Sequence, residues 1–438
     1  MPLFDTKGRS RERPFVLCAL FPPEVSFSTM SPMALPSFLE ASALVMQFAA
    51  RLRPAGPVQR VSLSAGAGRV LAEPVRADRD MPPFPRSTRD GFAVRAAELA
   101  AGPIPVAGIT RAGQANITEL PSGAAWEIMT GAAVPAGADA VVMLEHIENH
   151  AGAICLAPGQ TVAPGQNIVP TGAEAIAKQE LIPAGTRLTA VHIAAAASCG
   201  YATLPVFPAP RIAILTTGDE LIAVEATPGP AQIRNSNAPM LAALVAQAGG
   251  EPWVLPAAAD REDDLRMALG DAISADMLLV SGGVSAGKFD LVEPVLAELG
   301  AKFHFTGVRI QPGKPLVFGQ LAGGQPFFGL PGNPISSAAT FLLFAAPQVA
   351  ALCGSSETGP KFATARLDRD VQGKANLTRF VPARCRCPAT PGEPPLAVPT
   401  GWQGSGDLAA FARSNCFIVV PEGKLVLPAG SEATILLM

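Results

Sequence analysis

Hydrophobic positions recur with different periods along this chain, and the changes of period divide it. Over residues 37–53, Phe38, Ala41, Leu44, Val45, Phe48, Ala49 and Leu52 follow the helical period until Pro54-Ala55-Gly56 interrupts it, which predicts one amphipathic helix. From about 75 to 176 short apolar runs, such as 138–144, alternate with turn sequences including Pro121-Ser122-Gly123 and Pro135-Ala136-Gly137. That texture predicts a mostly β insertion. The alanine-rich stretch that follows, to about 208, predicts a helix over 190–198 that packs back on the first helix. From Arg211 the pattern becomes strand, loop, helix, repeated. Apolar runs at 212–215, 253–256, 277–280, 316–319 and 326–330 alternate with helical periods at 238–248, 264–272, 291–299 and 335–344. Unbroken apolar strands of this kind are buried on both faces, so a mostly parallel sheet between two helical layers is expected, with its site beyond the carboxyl ends of the strands. Beyond Gly359 short strands return, clearest at 417–420 and 433–437, and predict a small closing β-barrel.

The expected fold is therefore multidomain α/β plus β. Residues 1–32 read as a disordered extension or a mis-assigned start, with Met30 or Met33 as the alternative first residue. An elongated helical and linker domain takes 33–77 and 177–209, a β domain is inserted at 78–176, the α/β domain spans 210–358 and the β-barrel 359–438. At 438 residues the chain exceeds a single core. A net charge of -3 supplies no basic field for nucleic acid, and a 49% hydrophobic content rules out wholesale disorder. The longest apolar stretch, 335–353, carries Pro347 and Gln348. It reads as a buried helix broken at that point, not as a membrane span. Arg9, Arg11 and Arg13 precede a short apolar segment, but Pro22-Pro23 follows it without a cleavage site. Seven scattered cysteines without a Cys-x-x-Cys, beside only four histidines, point to a reducing cytoplasm and away from a structural zinc site. Cys385 and Cys387 share a strand face, which reads as coincidence.

Candidate chemistry concentrates in three loops at the carboxyl ends of the expected strands, over 216–221, 281–290 and 330–336. They are rich in small residues that let amides approach a ligand, and two lead into helix N-termini that favour anions. Gly282 to Lys288 satisfies most of a phosphate-loop pattern, but Phe289 stands where magnesium requires Ser or Thr, so a P-loop NTPase is not expected. Asp290 follows at once, and a carboxylate beside amides and Lys288 suits a magnesium ion bridging to phosphate. Asp219, Glu220 and Asp260 offer further hard oxygens on the same rim, although Asp260 alone reads equally as a helix cap. Gln311-Pro312-Gly313-Lys314-Pro315 and Leu330-Pro331-Gly332-Asn333-Pro334 are rigid turns able to present amides or a lysine to an anion.

Over about 34–438 these loops, in this order, resemble the MoeA/gephyrin E-domain family. The resemblance is carried by Asp90-Gly91-Phe92-Ala93-Val94-Arg95, Met129-Thr130-Gly131-Ala132, Thr217-Gly218-Asp219-Glu220-Leu221, Ile233-Arg234-Asn235-Ser236-Asn237 and Gly282-Gly283-Val284-Ser285. It continues through Pro312-Gly313-Lys314-Pro315, Leu330-Pro331-Gly332-Asn333-Pro334 and Gly404-Ser405-Gly406. It implies an α/β domain of the molybdopterin-binding type and a transferase that turns adenylylated molybdopterin and molybdate into molybdenum cofactor and AMP, with Mg2+. It also implies a homodimer whose site lies between subunits, Asp90 and Thr130 coming from the neighbour, and leaves open whether a separate molybdopterin adenylyltransferase is a physical partner. By motif position Asp219, Glu220, Asp260 and Asp290 serve magnesium or the nucleotide. Lys288 and Lys314 offset charge on the reacting oxygens, and Gly283, Ser285, Pro315, Pro331, Pro334, Ser336, Arg379 and Ser405 bind the oxyanion or the pterin phosphate. The chain departs from the family at Val169 and Glu174, and at Arg89, Gln311, Lys374 and Asn376, which bears on substrate preference. The departures in the 167–174 segment motivate a second expectation, a non-catalytic scaffold or carrier of finished cofactor. A third, the pterin adenylyltransferase itself, is opposed by the β regions on both sides of the α/β domain.

Overall fold

A computed structural model describes residues 35–114, 119–283, 291–388 and 392–438. The 1–32 extension lies outside them. In the centre, Glu251–Val254, Arg211–Thr216, Met277–Ser281 and Pro326–Leu330 lie side by side and parallel, and Val317–Gln320 and Lys302–Phe305 add an antiparallel edge. Successive side chains of a strand point to opposite faces, and here both faces are covered. Ile212, Ile214, Leu279 and Phe328 enter one core, while Ala213, Leu215, Leu278 and Phe327 enter the other. Lys302–Phe305 has no counterpart in the sequence reading, because Lys302 and His304 break its apolar run.

Helices Asn237–Ala248, Glu262–Ala272 and Val292–Glu298 connect the strands. The last begins as Pro334–Thr340 and continues, against expectation, through Pro347. Its middle turn, Phe341–Ala345, is a π-helix, and Ala346–Leu352 follows. The wider turn resets the hydrogen-bond ladder, so Pro347 stands near the start of a new segment, where its missing N–H costs little. Of an 18-residue window of this span 83% is buried, which makes it a core helix.

The first helix, Phe38–Ala49, opens with a capping box. Ser37 N–H donates to the Glu40 carboxylate at 2.7 Å, and Glu40 N–H donates to Ser37 Oγ at 3.2 Å. It packs in the α/β core and not, as expected, in one core with the 190–198 helix. Phe38 lies 6.0 Å from Phe344 and 5.2 Å from Phe380, and Phe48 lies 5.3 Å from Phe318, ring centre to ring centre. Aromatic side chains bury far more area than alanines can offer, so the phenylalanine-rich α/β core outcompetes the alanine helix. Gln348 fixes the contact by donating to Val45 O at 2.6 Å. Helix Ala190–Ser198 instead places Ala196 on a small core with Leu71, Val75, Ile182 and Leu204. Antiparallel pairing of Gln59–Ser62 with Thr203–Val206, and of Val75–Arg76 with Glu180–Ile182, joins the two halves of that layer across the insertion.

The insertion is a six-stranded sheet in the order Ala140–Met143, Gly91–Val94, Ala125–Ile128, Ile104–Thr110, Ala153–Leu156, Ile147–His150. In the C-terminal region Thr378–Arg386, Leu396–Pro399, Phe362–Leu367, Glu432–Leu437 and Cys416–Val420 pair in sequence, and the last pairs back with the first, closing a barrel. The short strand Ile310–Gln311 joins its wall beside Thr378–Arg379.

Candidate functional site

Two adjoining cavities open at the carboxyl ends of the parallel strands. The first, about 650 Å³, has Gly218 and Glu220 from the first loop, Gly283 from the second and Pro331 and Pro334 from the third in its wall, with Asp260 beside them. Gly282 makes the close approach possible. At φ +99 it carries no side chain, and a Cβ there would stand 2.5 Å from the Thr217 carbonyl oxygen. Asn237, at the start of the following helix, ties the loops together by donating to Ser281 Oγ at 2.9 Å and to Gly332 O at 2.6 Å. Asn235 donates to Thr216 Oγ1 at 2.8 Å. Both asparagines fall in the Asn235-Ser236-Asn237 run, which is visible in the sequence although its role as a brace depends on the convergence of the loops.

Asp260 does not cap a helix. The helix Glu262–Ala272 starts from Arg261, without a side-chain cap. Instead Asp260 N–H donates to Asp219 Oδ1 at 3.2 Å. Burial first, and then the charges of Asp219 and Glu220, push the Asp260 carboxyl above the usual range. A carboxyl raised by two neighbouring acids marks a rim short of positive charge. Among the described residues, however, their oxygens do not form a set of three within 4.8 Å of one another. The expected fourth acid, Asp290, lies outside the described residues, as do Ser285 and Lys288.

The second cavity, about 450 Å³, brings Lys314, Ser336, Arg379 and Ser405 together and shares Pro315, Pro331 and Asn333 with the first. Arg379 arrives by strand pairing, since Gln311 and Arg379 are partners in the parallel register of Ile310–Gln311 with Thr378–Arg379. Its guanidinium donates to Gln372 O at 2.7 Å, while Nε is buried without a partner among the described residues. Burial draws its pKa down. Gln311 Oε1 is also buried and has no partner among the described residues. Gly313, at φ +110, allows the lysine loop to pass Thr340, whose Cγ2 would stand 2.5 Å from an added Cβ. The barrel contributes its loop directly, Ile335 N–H donating to Ser405 O at 3.0 Å. The first cavity is thus lined by amides and acids, the second by cations and hydroxyls.

Asp90 and Thr130 line neither cavity. They sit in the inserted sheet, where the register Gly91↔Ile128 sets the start of one strand beside the end of the other. The Thr130 N–H and hydroxyl both donate to Asp90 Oδ1, at 2.5 and 2.8 Å, and these bonds hold the exposed carboxyl below its usual range. A further cavity of about 680 Å³, at the junction of residues 185–192, the last helix and the chain end, contains none of the expected site residues.

Three family descriptions match the chain in order: the MoeA N-terminal region (domain I and II) over 37–200, a probable molybdopterin binding domain over 213–351, and the MoeA C-terminal region (domain IV) over 364–438. A molybdopterin molybdenumtransferase of Nostoc sp. is 32% identical, with 92% of this chain and 94% of the relative covered. One from Bacillus subtilis is 34% identical, with 87% of this chain and 90% of the relative covered. A solved molybdopterin biosynthesis MoeA protein from Pyrococcus horikoshii aligns with TM-score 0.77 at 28% identity, covering 92% of this chain and all, 100%, of that one.

Proposed function

The chain belongs to the MoeA family, and from that premise we propose that it inserts molybdate into adenylylated molybdopterin, giving molybdenum cofactor and AMP. The observation that carries this reading is the adjacency of the two cavities, one cationic and one lined by amides, across shared Pro315, Pro331 and Asn333. Molybdate is a tetrahedral dianion, and placing it against a second anionic substrate requires fixed positive groups, not a nucleophile. Lys314, Arg379 and the hydroxyls of Ser336 and Ser405 hold the oxyanion. Amides at Gly218, Gly282 and Gly283 receive the phosphates. Holding two mutually repelling anions in register is the chain's largest contribution to rate.

Magnesium fits the acid rim, because the raised Asp260 carboxyl beside Asp219 and Glu220 is relieved by a hard divalent cation. Asp219, Glu220, Asp260 and, by sequence, Asp290 would hold it, water or substrate oxygen completing a shell that the described carboxylates do not close. When bound, the ion neutralises charge on the phosphate oxygens. By the family resemblance, a second copy of the chain supplies Asp90 and Thr130 to the site in a homodimer, a reading supported by their lying outside both cavities of one copy. The free cysteines among the described residues suit a reducing cytoplasm, and a molybdopterin adenylyltransferase supplies the substrate. Purified protein given adenylylated molybdopterin, molybdate and magnesium should release AMP and reconstitute an apo-molybdoenzyme. Absence of AMP from folded protein would remove the reading, and cofactor binding without turnover would favour a carrier.

A further inference from the structure

Away from this site, the outer edge of the inserted sheet is a hairpin of Ile147–His150 and Ala153–Leu156. It turns at Ala151 and Gly152, both at positive φ, +55 and +88, as a two-residue hairpin turn requires. Register places Glu148 opposite Cys155 and His150 opposite Ala153. Alternation along the strands sends Ile154 into the core, where it is fully buried, and brings Glu148, His150 and Cys155 out together on the opposite face. Their ligating atoms lie within 4.8 Å of one another, and no other His, Cys or acid trio among the described residues meets that spacing. His150 Nε2 is 3.3 Å from Glu148 Oε2, and Cys155 Sγ is 3.7 Å from the Glu148 carbonyl oxygen.

Zinc bonds of about 2.0–2.3 Å at tetrahedral angles separate neighbouring ligand atoms by roughly 3.3–3.6 Å. The nitrogen–oxygen edge already has that length, and the sulfur closes by a shift on the order of 1 Å, within the reach of side-chain rotation. We propose that this hairpin face binds one thiophilic divalent cation of the zinc type through Cys155, His150 and Glu148, with a fourth position open to water or an external donor. Binding releases the thiol proton to solvent and forms the metal–sulfur bond without redox change. Thiolate and imidazole discriminate against magnesium, so the site is chemically separate from the acid rim. Cysteine spacing in sequence gives no sign of it, because the ligands meet through strand register and leave a coordination position open.

The test is titration of the full chain with Co2+ in a magnesium-containing buffer, with Zn2+ as competitor. The proposal predicts one equivalent per chain, a thiolate-to-cobalt charge-transfer band and its bleaching by zinc. Cys155→Ser should abolish the band, and both it and His150→Ala should weaken zinc binding at least about tenfold. Cys387→Ser, in the barrel, should change nothing. No thiolate band from the wild-type chain, a band that survives Cys155→Ser, or one lost in Cys387→Ser would overturn it. Circular dichroism confirms that each variant is folded.

Discussion

Replacing Arg379 with alanine separates anion binding from architecture. Its guanidinium makes a 2.7 Å bond to Gln372 O, leaves Nε buried without a partner among the described residues, and has its pKa drawn down by burial. A cation held this way is partly desolvated and only partly compensated. Truncation therefore loses one charged hydrogen bond but also removes a desolvation cost, and the two oppose each other. The net change in stability should stay within about 1 kcal/mol. Binding is different, because one charge-assisted bond to an oxyanion is worth about 1.5–3 kcal/mol, and each 1.4 kcal/mol is tenfold in affinity. Arg379→Ala should thus weaken molybdate or phosphate binding roughly 10- to 150-fold. Arg379→Lys, which keeps the charge and loses the planar fork, should fall between. Isothermal titration at low salt reads the affinities, and urea unfolding reads the stability. Affinity within threefold of wild type, or loss of the barrel's fold on truncation, would refute the reasoning.

Gly282→Ala should destabilise the α/β domain by about 1–3 kcal/mol, because a side chain at this positive φ runs into the Thr217 carbonyl; denaturant unfolding with unchanged midpoint would contradict it. The Asp260 carboxyl titrates above its unfolded value, so this group's stabilising effect is complete below the unfolded pKa and is lost as pH rises through the folded one. Asp260→Asn should therefore raise the melting temperature of metal-free protein at neutral pH and lessen any gain from magnesium, as differential scanning fluorimetry across pH will show. Gln348→Ala should cost about 1–3 kcal/mol by leaving a cavity and breaking the 2.6 Å bond to Val45. Equal thermal stability would exclude Gln348 as the clamp on the first helix.

Much of this arrangement is legible in the order of residues. The apolar runs 212–215, 277–280 and 326–330 are strands because both faces of the sheet are covered, and the positive-φ glycines mark where loops approach each other. The loops carrying Gly218, Gly283 and Pro331 converge because parallel strands end on one side. What stayed hidden depends on choices among distant partners. Phe38 could have packed on the alanine helix and packs instead on Phe344 and Phe380. Pro347 reads as a break, yet a π-turn precedes it, with Phe341 and Phe344 buried in the core, and local propensity does not encode that turn. Lys302–Phe305 lacks the apolar run of a central strand because it is an edge. Arg379 enters the cavity through a register with Gln311 that links segments nearly seventy residues apart, and Glu148 meets Cys155 only after the hairpin pairs them.

The most direct test of the account is a crystal of this chain soaked with molybdate and AMP, with the metal located by its anomalous scattering. The account predicts molybdenum in the cavity between Lys314, Ser336 and Arg379, with the AMP phosphate in the adjoining cavity against Gly218, Gly282 and Gly283. Molybdenum bound away from these residues, or the two ligands on opposite sides of the sheet, would contradict it.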